Sequence, residues 1–64
     1  MKEFDTVKLT ENYEGIPEGT FGTIVQEYRE SLFEVEFFDS DHKMIDTVTT
    51  PIMVLDLVQD FKET

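Results

Sequence analysis

The chain lacks cysteine and tryptophan and is poor in basic residues, glycine and proline. Its 64 residues include no Cys, no Trp, five Lys or Arg, three Gly and two Pro. The absence of Cys excludes disulfides, Cys-ligated zinc and thiol catalysis. Secreted domains of this size usually carry disulfides, so we expect a cytoplasmic protein. The length allows one domain, residues 1–64, and leaves no room for a cleft between two lobes.

Negative charge dominates the composition. Fifteen Asp and Glu against five Lys and Arg give 5 − 15 = −10. The few basic residues are scattered, so they cannot form the positive stripe that neutralises phosphates, and we expect no nucleic-acid binding. The same sign disfavours anionic membranes, and no segment approaches the length of a membrane span. The charge favours a basic protein as partner, although it also serves solubility.

Alternating side chains predict short β-strands along the whole chain. The clearest is Leu32 to Phe38, where Phe33, Val35 and Phe37 alternate with glutamates, so the aromatic side must be buried. A 3₁₀ turn is expected before the last strand, and residues 60–64 are expected to fray. The other predicted strands are Phe4–Thr10, Thr20–Tyr28, Lys43–Thr50 and Leu55–Val58.

The predicted connections are one long loop and tight hairpin turns. The loop from Glu11 to Gly22 contains every glycine of the chain, and Gly22 indicates a bulge or a close backbone approach. A four-residue turn at 39–42 would pair Phe38 with Lys43. It would place Met44 opposite Phe37, Val48 opposite Phe33 and Asp46 opposite Val35. An inward carboxylate is costly, so either a bulge turns Asp46 outward or it lies at the rim.

Five short strands with these connections predict a small all-β SH3-like barrel with a long first loop. An OB-like barrel is the alternative, for which the chain is short.

Two stretches carry a family resemblance. They are Gly15-Ile16-Pro17-Glu18-Gly19-Thr20-Phe21-Gly22-Thr23-Ile24-Val25 and Phe33-Glu34-Val35-Glu36-Phe37. With Asp56-Leu57, they resemble the bacterial family called domain of unknown function 4926, whose members read G-[LI]-P-x-G-x-x-G-T-[VI]-V, then Y-x-V-E-F, then D-L. The resemblance spans residues 4–58. Phe33 stands where Tyr is usual, and the turn after Phe38 lacks the usual glycine.

The resemblance implies a compact SH3-like barrel and says little about chemistry. Some members resemble small partner genes beside toxin-like genes, which implies an immunity-protein or antitoxin role.

No catalytic constellation is present in the sequence. Ser40, Asp41 and His42 are adjacent on a turn and cannot converge as nucleophile, base and orienting group. Glu34 and Glu36 share one strand face, but nothing indicates a pocket that would perturb them. We therefore expect a protein that is not an enzyme.

Metal and cofactor motifs are incomplete as well. Asp39-x-Asp41 resembles the start of a calcium-binding loop. Lys43 and Met44, however, stand where that loop needs an oxygen ligand and a glycine. The stretch from Gly19 to Gly22 has no following Lys-Ser/Thr and opens a strand, so its glycines serve turn geometry. We predict no metal site and no cofactor.

Two binding hypotheses remain. In the first, an acidic face docks on a basic protein, such as a nuclease-like toxin, through Glu34, Glu36 and the turn acids Glu18, Asp39 and Asp41. In the second, a regulatory or structural accessory domain grips a peptide or a subunit through the long first loop. Its aromatic groove would consist of Tyr13, Tyr28 and Phe38.

Overall fold

Five antiparallel strands form one sheet in the computed structural model, which describes residues 1–62. Each strand pairs with its neighbours in the order β4-β3-β2-β1-β5. A 3₁₀ turn, Ile52–Val54, leads into the last strand. The predictions of an all-β fold and of this turn are confirmed. The strands are β1 (Thr6–Leu9), β2 (Phe21–Arg29), β3 (Leu32–Phe38), β4 (Met44–Pro51) and β5 (Leu55–Gln59).

The strand order is that of an SH3-like barrel whose seam is open. β4 and β5 are the two edges of the sheet, and no strand pairing joins them within residues 1–62. The predicted barrel is therefore an open one, since no strand pairing closes it.

The core lies inside the curl of the sheet. Phe33, Val35 and Phe37 are fully buried, as their alternation with glutamates predicts. The remaining members come from four other parts of the chain, and together they form one apolar cluster: Val7, Leu9, Ile16, Ile24, Val54 and Leu55.

Gly22 brings β2 close to β3. It pairs with Phe37 in regular register. A Cβ at this position would lie 2.6 Å from Val35 Cγ1 and 2.9 Å from Phe37 Cδ1. Of the two predicted alternatives, the structure therefore shows a close backbone approach. The irregularities of β2 lie further along, at Val25 and Tyr28.

The turn between β3 and β4 is longer than predicted. The N–H of Asp39 donates to the carbonyl of Lys43 at 2.9 Å, so five residues form the turn. The Asp39 carboxylate accepts N–H bonds from Asp41 and Lys43. His42 takes the left-handed φ of 62° at the site where the family resemblance leads us to expect glycine.

The predicted register between β3 and β4 is wrong by two positions. The fifth turn residue accounts for one position, since Phe38 pairs with Met44 rather than Lys43. A β-bulge at Ile45 accounts for the second. The pairs that follow are Phe37 with Asp46, Val35 with Val48, and Phe33 with Thr50.

Asp46 avoids burial in this register. It follows the bulge at the end of the sheet, where its side chain is exposed and accepts the N–H of Thr47 at 2.8 Å. The bulge and the rim position together remove the cost of an inward carboxylate.

The first loop is anchored to the body of the domain. Ile16 is buried in the core, and its backbone forms two hydrogen bonds with Tyr13. The Asn12 side chain accepts the N–H of Glu18 at 2.8 Å. A tight turn is closed by the hydrogen bond from the N–H of Thr20 to the carbonyl of Pro17. These contacts give the loop a fixed shape.

Asp5 joins the two ends of the chain. Its carboxylate, 1% exposed, forms a salt bridge with Lys2 at 2.8 Å and accepts the N–H of Phe61 at 2.7 Å. The ring of Phe61 meets that of Phe4 edge to face, with centroids 5.4 Å apart. Fraying is therefore wrong for Phe61, while residues 63 and 64 lie outside the described residues.

Candidate interaction surface

The outward side chains of the sheet form its solvent-facing surface, which we call the outer face. Because Phe37 points into the core, its neighbours Glu36 and Phe38 point outward. The close approach of Gly22 likewise turns Phe21 and Thr23 outward. These residues alternate with the core along the central strands, so β2 and β3 supply most of the outer face.

Large apolar side chains occupy one row of the outer face. Phe21 lies directly opposite Phe38, and Phe38 lies opposite Met44. Phe21 is 52% exposed and Met44 is 58% exposed. Lys8 is the next residue of this row, followed by Asp56 on β5. We call Phe21, Phe38 and Met44 the apolar row.

A groove of about 650 Å³ runs beside the apolar row. Thr6 and Thr23 are paired across β1 and β2 and form its floor, because their side chains are small. Val58 lines it from β5, where it is the additional residue of a β-bulge. The turn residues Asp39, Ser40 and His42 lie along its margin. Phe21 and Phe38 also line the groove, so its lining surface is mainly apolar and its margin is polar.

Two of the predicted acidic residues meet next to the apolar row. Glu18 and Asp39 line one shallow depression of about 310 Å³, together with Phe21 and Phe38. Asp39 and the neighbouring Ser40 line both this depression and the groove. Asp41 lies in the same turn and donates its N–H to the Asp39 carboxylate at 2.8 Å.

Glu36 lies in the middle of the outer face. Its cross-strand neighbours are Thr23 on β2 and Thr47 on β4. The carboxylate is therefore flanked by small polar residues, one position along β3 from the buried Phe37.

Glu34 is held by hydroxyl groups at the other end of the face. Tyr28 donates to Glu34 Oε2 at 3.1 Å, and Thr49 donates to Oε1 at 3.1 Å. The bond to the Glu34 carboxylate, with partial desolvation and the negative charge, raises the pKa of Tyr28 above its ordinary value. Two hydroxyl groups thus orient the Glu34 carboxylate at the surface.

Tyr13 reaches the same end of the face. Its hydroxyl donates to the carbonyl of Thr49 at 3.5 Å, while its ring packs against the core cluster. Tyr13 and Tyr28 therefore lie with Glu34, whereas Phe38 is four residues further along β3, about 13 Å away. The structure does not bring these three aromatic residues into one groove.

Most of the negative charge has no ion-pair partner. The salt bridge between Lys2 and Asp5 is the one formed among residues 1–62, for a chain of net charge −10. Neutral donors hold Glu34 and Asp39, which orients the charges without cancelling them.

The sequence prediction missed the apolar row. Phe21 precedes Gly22, so the alternation signal for an outward Phe21 was present in the sequence. Met44 and Val58 could not be placed from the sequence, since the position of Met44 depends on the five-residue turn and that of Val58 on a β-bulge.

The described residues contain neither a membrane-spanning helix nor a cluster of metal ligands. In residues 1–62 no helix is long and apolar enough to cross a bilayer. Over the same range, no three side chains among His, Cys, Asp and Glu are grouped so as to hold a metal ion.

The fold and this surface define a small all-β domain that exposes apolar and acidic side chains on one sheet face. A family model described as domain of unknown function (DUF4926) matches residues 3–53, and the chain belongs to this family. The match includes both resembling stretches and ends before Asp56 and Leu57. No curated protein and no solved structure matches the chain.

Proposed function

We propose that this domain is a non-enzymatic interaction module that binds a basic protein through its outer face. The observation that carries the proposal is the apolar row, in which Phe21 and Met44 are exposed on either side of Phe38. Glu18 and Asp39 line a depression beside Phe21, and Glu36 lies on the same face. Apolar side chains of this size that remain in water are typical of a surface that a partner covers.

The acidic side chains and the apolar side chains serve different steps of binding. The net charge of −10 attracts a basic partner over a distance, and salt weakens this attraction. Once the surfaces meet, burial of Phe21 and Met44 supplies affinity. The module would therefore associate quickly at low salt, and the apolar contacts would add to an affinity that depends on the charges and so on salt.

A basic toxin is the partner class that the family resemblance suggests. An acidic module that covers the positive substrate site of a nuclease-like toxin would act as an immunity protein or antitoxin. Such a role places the domain in the cytoplasm, where a chain without disulfides has no disadvantage.

The test begins with capture of partners from the native host on the tagged domain. Each captured protein is then purified, and its association with the domain is measured at rising NaCl. We expect a basic protein that is released by about 0.5 M salt.

Two charge reversals locate the surface. Glu36→Lys should lower the association rate about tenfold at low salt, because it places a positive charge in the middle of the outer face. Glu30→Lys is the matched control, since it changes the net charge equally but lies in the β2–β3 turn. Equal effects of the two variants, or a partner that is acidic or neutral, would overturn the proposal.

The accessory-domain alternative makes the opposite prediction at the other end of the face. There, Tyr13→Ala and Tyr28→Ala would abolish binding, and Glu36→Lys would leave it unchanged. Glu34 cannot separate the two hypotheses because its carboxylate bonds to Tyr28.

A further inference from the structure

We propose that the groove beside Val58 holds one large apolar side chain of the partner, carried on a basic segment with Lys or Arg next to that side chain. This inference rests on the proposed function and specifies how the partner is recognised.

The shape of the groove supports an inserted side chain. Its floor is made by Thr6 and Thr23, while Phe21 and Val58 line it as larger residues. The volume of about 650 Å³ lies within the range of ligand sites and exceeds that of a single Leu or Phe side chain. A bulky residue can therefore enter while its backbone stays at the mouth.

Within residues 1–62, the groove between Phe21 and Val58 is open. Val58 is 47% exposed, and Phe21 is 52% exposed. Both side chains would lose contact with water if an apolar group lay between them, and that burial favours binding.

The charges around the groove select the occupant. Asp39 lines the groove, and it also lines the neighbouring depression with Glu18. A residue next to the inserted side chain lies about 3.3 Å further along an extended segment, so long basic side chains reach these carboxylates. A second copy of this chain would bring another ten negative charges, and a nucleic acid would bring phosphates. A basic polypeptide is the occupant that the charges favour.

The test uses three synthetic peptides titrated into the ¹⁵N-labelled domain at low salt. The first has four lysines on each side of a central leucine, and the second has glycine at the centre. The third replaces every lysine by glycine and keeps the leucine. We expect the first peptide to bind about tenfold more tightly than the second, and the third not to bind measurably.

A pair of substitutions shows whether the groove causes the difference. Thr23→Phe fills the floor and should remove the advantage of leucine over glycine. Thr47→Phe is the matched control, because Thr47 lies on the same rung of the sheet, across Glu36, and does not line the groove. The control should keep the tenfold advantage. Amide spectra and thermal unfolding verify that both variants are folded.

The outcomes separate this inference from the proposed function. Equal, salt-dependent binding of the two lysine peptides would overturn the inference and leave docking on the acidic surface intact. An advantage of leucine that survives Thr23→Phe would place the apolar contact elsewhere and would also overturn it. Binding of the glycine-flanked leucine peptide as tightly as the first would contradict a basic occupant. No binding by any peptide would count against both the inference and the proposed function.

Discussion

Asp5 is the residue whose charge is most clearly tied to stability. Burial acts to raise the pKa of its carboxyl group, but the bonds from Lys2 and from the N–H of Phe61 outweigh burial and leave the pKa below its ordinary value. Because the pKa of Asp5 is lower in the folded state than in the unfolded state, its ionised carboxylate stabilises the fold at pH values above the unfolded pKa of about 3.9. This stabilisation is lost as the pH falls through the folded-state pKa.

We predict that Asp5→Asn lowers the free energy of unfolding at pH 7 by about 1–3 kcal/mol, because the Lys2 ammonium and the N–H groups of Lys2 and Phe61 lose a charged acceptor. The difference between the variant and the native chain should shrink as the pH falls below about 4. Urea unfolding at several pH values measures both. Asp56→Asn is the control, since Asp56 is exposed and its loss should change stability by less than about 0.5 kcal/mol. A difference that stays constant down to pH 2 would contradict this account of Asp5.

His42 carries backbone strain in the β3–β4 turn. Its φ of 62° crowds the Cβ of any residue other than glycine. We predict that His42→Gly raises the free energy of unfolding by about 0.5–1 kcal/mol, the relief of strain being partly offset by a more flexible unfolded chain. His42→Ala keeps a Cβ and should give no such gain. Equal stability of the two variants in urea unfolding would show that the turn is unstrained.

For the strands and turns, the sequence predicts the features that depend on residues close together in the chain. The limits and burial of β3 follow from the alternation of Phe33, Val35 and Phe37 alone. The register of β4 does not, because it is set by the five-residue turn and by the bulge at Ile45. The sequence marks neither the turn nor the bulge clearly, because His42 rather than a glycine takes the left-handed conformation in the turn.

The candidate surface shows the same division. The acidic residues could be placed on turns and outward positions from composition and alternation. The apolar row and the groove could not be predicted, since Met44 and Val58 are aligned only by long-range pairing. The contact between Asp5 and Phe61 joins residues 56 positions apart and likewise leaves no local signal.

Gly22 tests the packing of β2 on β3. We predict that Gly22→Ala lowers the free energy of unfolding by about 1–3 kcal/mol, because the added methyl overlaps Val35 and Phe37. Gly19→Asn is the comparison, since nothing lies within 4 Å of a Cβ there and the strain of its φ of 87° is the cost that remains, which Asn lowers relative to most residues. Thermal unfolding compares the two. An alanine variant as stable as the native chain would mean that the strands are not held this closely.

For the whole molecule, self-repulsion of ten excess negative charges opposes folding. Raising NaCl from about 0.02 to 0.5 M at pH 7 shortens the Debye length from roughly 20 Å to roughly 4 Å. We predict a rise in melting temperature of about 5 °C or more, equivalent to about 1 kcal/mol for a domain of this size. The same series at about pH 4, where many carboxylates are protonated, should show a smaller rise. A flat curve at pH 7 would mean that the charges are already compensated.

The central claim is that the outer face, at the end holding the apolar row and the groove, is where a basic partner binds. Amide chemical-shift mapping of the ¹⁵N-labelled domain with its purified partner tests it most directly. The account predicts that the largest shifts lie at residues 18–23, 36–44 and 56–58. Shifts confined to residues 11–16 and 28–34, around Tyr13 and Tyr28, would contradict it.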